Sequence, residues 1–231
     1  MRDLARLPVT FSLILACVLV YAGVMAVGVA SGIPWNVVFV TQPPEILIKG
    51  SLAPALVAQG QVWRLVTSMF LHSGLMHLGL NMISLYFLGY FAELTFGRGR
   101  FLALYVLSGL SGGIAYLYFG GLFDGSAVGA SGAIFGILGG VLGFAARRGS
   151  FSWQNPVIRQ LLLLLAFNLL VGASIPNISI TAHVGGLVGG AAFGWLATPT
   201  IYSEKGPHAG IPVAILLGLE ALLLAAWFVL L

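Results

Sequence analysis

Seven stretches of nearly unbroken apolar residues run along the chain, at about 10–30, 71–92, 101–119, 130–146, 157–173, 182–199 and 211–231. Each is close to the ~20 residues that a helix needs to cross ~30 Å of hydrocarbon. None shows the short period-two alternation of a membrane β-barrel, so the pattern predicts an all-α, polytopic membrane protein. Arg2 and Arg6 precede the first stretch. Its apolar core exceeds the roughly 7–15 residues of a signal-peptide core, so it reads as an anchor that stays. The segment 31–70 breaks the pattern: it holds Pro34, Pro43, Pro44 and Pro54 together with Glu45, Lys49 and Arg64. Its apolar pieces are too short to cross and predict interfacial or re-entrant helices. The expected organisation is a short N-terminus at 1–9, a six-helix core at 10–199 with the loop 31–70, and a linker plus a seventh transmembrane helix at 200–231.

Composition sharpens this picture. Of 231 residues, 59% are hydrophobic and 7% charged, against roughly 25% charged in soluble domains. Cys17 is the only cysteine, which excludes an intrachain disulfide and a zinc cluster. The net charge of +4 does not point to nucleic acid, because the basic residues are scattered among the joints. Their placement does predict orientation. With the N-terminus in the cytoplasm, Arg2, Arg6, Arg98, Arg100, Arg147, Arg148, Arg159 and Lys205 are all cytoplasmic, and only Lys49 and Arg64 face outward. Residues 31–70, 120–129 and 174–181 then lie on the outer side, as does the C-terminus, in a cell inner or plasma membrane.

Polar groups inside such spans are costly unless paired or wetted, so each one calls for a role. The second span, within FLHSGLMHLGLNMISLYF, carries His72, His77 and Asn81, the last two on one helical face. Ser131 in AVGASGAIFG and His183 in TAHVGGLVGGAAFG stand at the starts of the fourth and sixth spans. Spans two, four and six run in the same direction, so His77, Ser131 and His183 share the outer side. Ser131 lies 16 residues before Arg147, about 24 Å along a helix, which sinks it several ångströms below the outer boundary. Gly132, Gly136, Gly139, Gly140 and Gly143 face a similar run at Gly185, Gly186, Gly189, Gly190 and Gly194. Small residues at this spacing let membrane helices approach closely, and Gly190 and Gly194 share the face of His183. The pattern therefore predicts a Ser131–His183 dyad, with the imidazole as base. The Ser131 amide, His77 and Asn81 are candidate oxyanion donors, and Gly129 clears space for a substrate backbone. No third acid is evident: Glu93 lies near the inner end of its span and Glu220 stands alone in the seventh.

These residues resemble the motifs of the rhomboid family of intramembrane serine proteases, over about residues 61–199. Trp63-Arg64 is similar to the family's WR pair. HSGLMHLGLN matches its histidine-and-asparagine motif, Glu93 followed by Gly97 its helix-two ending, Gly129-Ala130-Ser131-Gly132 its GxSG, and Ala182-His183-Val184-Gly185-Gly186-Leu187-Val188-Gly189-Gly190 its AHxxGxxxG. The resemblance implies a rhomboid-like six-helix bundle. It also implies hydrolysis of peptide bonds in or beside transmembrane segments of protein substrates within the lipid bilayer, with no cofactor and no metal. Small residues at the cleaved bond and helix-weakening residues beyond it are typical of family substrates. Where some relatives stack a tyrosine on the catalytic histidine, this chain has Phe135, and His72 is a further supporting residue. Span five or the loop 174–181, containing SIPNISIT, is expected to move for substrate entry. The seventh span resembles the extra C-terminal helix of some members. Two other readings compete: an inactive rhomboid-like protein that binds membrane clients, which usually lacks the serine or histidine, and a small transporter using His77, Asn81 and His183 as a polar path.

Overall fold

The computed structural model describes residues 7–120, 125–174, 179–201 and 211–230. Arg2, Arg6, Lys205, Pro176 and Asn177 lie outside the described residues, as does most of the linker preceding the last helix. The architecture is all-α. Among the described residues there are no strands, only isolated antiparallel bridges between Thr41 and Gly74 and between Leu52 and Ala127.

The first long helix, α1, covers Pro8–Ala30. Four short helices follow where the prolines break the apolar pattern: α2 (Trp35–Val40), α3 (Pro44–Leu47), α4 (Pro54–Ala58) and α5 (Arg64–Thr67). Pro44 and Pro54 each stand at a helix start, where the missing N–H costs nothing. The remaining helices are α6 (Leu75–Phe96), α7 (Arg98–Phe119), α8 (Ser131–Arg147), α9 (Pro156–Ser174), α10 (Ile180–Ile201) and α11 (Ile211–Leu230). Helices α1, α6, α7, α10 and α11 are long and apolar enough to cross a membrane. The other two expected spans form the shorter apolar helices α8 and α9. A helix lies within a few residues of each of the seven expected stretches, and segment 31–70 is made of short helices.

The chain forms two compact units, 1–101 with 122–131, and 102–121 with 132–231. In the first, α1 packs on α6. The Glu93 carboxylate, 3% exposed, accepts from Val9 N at 3.0 Å, Thr10 N at 2.8 Å and Thr10 Oγ1 at 2.6 Å. It thereby meets the orphan donors of the α1 N-terminus and complements the positive end of that helix. Arg64 organises the short-helix segment. Its Nη1 donates to Ile48 O at 2.6 Å and Ser51 O at 2.7 Å, and its Nε to Gln61 Oε1 at 2.8 Å. Carbonyls left over from broken helices are thus met by one guanidinium fork.

In the second unit, α8 lies against α10 so closely that backbone meets backbone. A Cβ on Gly186, Gly190 or Gly194 would fall on the carbonyl oxygens of Gly132, Gly136 and Gly140. On the other side of the pair, a Cβ on Gly136 would occupy the place of the Ser108 hydroxyl from α7. The glycine runs therefore act as expected: they set the helix separation that no larger residue allows.

Candidate active site

Ser131 is the first residue of α8. Its helix starts where the chain emerges from Gly129, whose φ of +127° is a conformation that side chains disfavour. Two local facts explain that glycine. Its N–H donates to Ser68 O at 2.9 Å, pinning the turn. A Cβ there would also lie 2.8 Å from His77 Nε2 and 3.7 Å from Ser131 Oγ. The imidazole of His77 and the hydroxyl of Ser131 thus flank one bare Cα. The Gly129 N–H is already used by Ser68 O, and the missing side chain leaves the space between His77 and Ser131 open.

His77 sits in the first turn of α6, and its Nδ1 is 3.0 Å from Ser73 Oγ. The His72 and His77 rings meet edge to face with centroids 5.2 Å apart. His72 precedes the helix and is 1% exposed. Burial, and then the neighbouring His77, lower its pKa to about 3, so it stays neutral. Asn81 is buried, and its Nδ2 donates to His77 O at 2.9 Å, one turn back. The second amide hydrogen of that Nδ2 remains for another acceptor.

His183 stands in the first turn of α10. Ser179 caps that helix, its Oγ accepting from Ala182 N at 3.1 Å. His183 is 6% exposed. It stacks on Phe135 with centroids 4.2 Å apart and planes 9° from parallel. Phe135 is one helical turn after Ser131 in α8, so the two point along the same helix face.

The sequence reading missed Ser73 and Ser68. Ser73 was legible in principle, four residues before His77. The Ser68 carbonyl was not, because backbone acceptors leave no mark in a sequence.

Comparison with known proteins bears on the family of the chain. The family model described as "Rhomboid domain" matches residues 59–200. The chain is 35% identical over 150 residues to "Rhomboid protease GluP" of Bacillus subtilis (strain 168), covering 65% of this chain and 29% of that protein. It is 37% identical over 155 residues to "RHOMBOID-like protein 5" of Arabidopsis thaliana, covering 66% and 50%. "RHOMBOID-like protein 7" of the same plant is 37% identical over 142 residues, covering 61% and 44%. The matched region therefore spans half or less of the length of these three relatives.

Proposed function

The chain belongs to the rhomboid family, and from that premise we propose that it is an intramembrane serine endopeptidase. It cleaves peptide bonds in or next to transmembrane segments of other membrane proteins. Ser131 is the nucleophile and His183 its general base. The observation that carries the reading is the Phe135–His183 stack, which fixes the imidazole against the helix face that Ser131 begins.

In this reading Ser131 Oγ attacks the scissile carbonyl carbon while His183 takes the hydroxyl proton. The resulting oxyanion accepts from the Ser131 N–H, from the Asn81 amide and from His77. With the Ser73 hydroxyl donating to Nδ1, the His77 proton sits on Nε2, the atom beside Gly129. His183 then returns its proton to the leaving amine, and water hydrolyses the acyl ester. Orientation follows the arginine bias: Arg98, Arg100, Arg147, Arg148 and Arg159 on the cytoplasmic side, and the Ser131 end of α8 opening outward.

Labelling with a serine-reactive fluorophosphonate tests the assignment. Wild type is expected to label, and Ser131→Ala and His183→Ala to lose both labelling and cleavage of a transmembrane substrate while still folding. Labelling that survives in Ser131→Ala would end the dyad reading.

A further inference from the structure

Helix α11 carries one ionisable residue that the proposed mechanism does not use. Its buried positions are Pro212, Leu216, Glu220 and Trp227, with Leu224 half-buried between the last two. They form a single seam at three- and four-residue steps. Glu220 is the only charged residue type in that seam and is 5% exposed. Its Oε1 accepts from Ser111 Oγ of α7 at 2.6 Å. Its Oε2 has no hydrogen-bond partner among the described residues. Two further bonds join the same helices: Trp227 Nε1 donates to Leu117 O at 3.0 Å, and Tyr118 Oη to Leu223 O at 2.7 Å.

Ser111 also touches α10. A side chain on Gly189 would take the place of the Ser111 hydroxyl, and one on Gly185 would meet Ala115. Three helices therefore converge on one hydroxyl: α7 supplies it, α10 makes room for it with a glycine, and α11 accepts from it. Two residues before Gly185 on α10 is His183. The helix that carries the proposed base is gripped by α8 along Gly186, Gly190 and Gly194 and by α7 along Gly185 and Gly189, and α11 packs on it as well.

A buried carboxyl is an expensive way to fill space in a membrane helix. Apart from it, α11 is almost uniformly apolar, so its packing alone offers several nearly equal rotations and depths. A single buried polar group is an effective way to select one register. We propose that Glu220 is a positioning residue: through Ser111 it latches α11 in one register against α7 and α10, and so holds α10 and the His183 ring in place. This rests on the protease reading for the role of His183, but the latch itself does not.

The test uses the full chain in detergent, with Glu220→Leu, Glu220→Gln and Ser111→Ala, each checked for a monodisperse size-exclusion profile. Glu220→Leu and Ser111→Ala are expected to lower kcat and the fluorophosphonate labelling rate by roughly 3- to 20-fold, the range of single interhelical hydrogen bonds, with KM nearly unchanged. Combining them should cost no more than either alone. Glu220→Gln keeps an acceptor for Ser111 and should rescue most of the rate. A second readout is independent of activity. With a specific protease site inserted at 202–210, cut wild type should retain the α11 fragment on purification, and cut Glu220→Leu should release it. Wild-type rates in both Glu220→Leu and Ser111→Ala, or no rescue by Glu220→Gln, would overturn the proposal. If wild type neither labels nor cleaves, the protease reading fails, and the latch stands or falls on fragment retention alone.

Discussion

The short-helix segment at 31–74 and the α8–α10 pair solve the same problem in opposite ways. Both must keep backbone polar groups satisfied in an apolar setting. In the segment, proline interrupts the ladders, and side chains make up the loss: Arg64 reaches Ile48 O and Ser51 O, and Thr67 Oγ1 donates to Gly50 O at 2.7 Å. In the helix pair each helix satisfies itself, and side chains are removed so that the backbones can touch. The first region depends on what particular side chains donate, the second on what is missing. Substitutions should therefore fail differently: by lost bonds in one, by added volume in the other.

The largest effect is expected from Gly190→Val or Gly186→Leu, where any side chain overlaps a carbonyl of α8. Overpacking at a site with no room to relax costs about 3 kcal/mol or more, and denaturation in mixed detergent micelles should show it together with loss of labelling. Next comes acid. His72 is neutral when folded, with its pKa lowered to about 3, whereas in the unfolded chain it titrates near ~6.5. Because the folded value is depressed, its contribution is intact above the unfolded value and is lost as pH falls from there towards the folded one. The loss is on the order of 4 kcal/mol at the bottom of that window, and His72→Phe should flatten the slope. Arg64→Ala removes a charged donor from two carbonyls, at about 2–3 kcal/mol, and should raise amide exchange across residues 44–53. Arg64→Lys should recover only part, since a point donor cannot reproduce the fork. The smallest effect is Thr67→Val, about 1 kcal/mol. Equal sensitivity of Gly190 and Thr67 to substitution would erase the contrast between the two regions.

How much of this was legible depended on range. The spans could be read because apolar length is a local property, and the α8–α10 contact because four-residue glycine spacing implies a partner of the same kind. Phe135 beside His183 was implied by the resemblance to relatives that stack a tyrosine on the histidine from that position. The Glu93 cap was not legible, since its acceptors and donors are separated by 84 positions for Val9 and 83 for Thr10. Glu220 stood out as a misfit in an apolar run, but nothing near it in the chain names Ser111, 109 positions away. Side-chain bonds to distant backbone are set by how the helices pack, and the sequence encodes that only collectively.

The Glu93 cap has a consequence for the order in which the protein is made. When α1 leaves the ribosome its amino end has no acceptor, because the carboxylate that will receive it has not been synthesised. The clasp therefore closes only once α6 has been made, so α1 and α6 complete their packing as a pair.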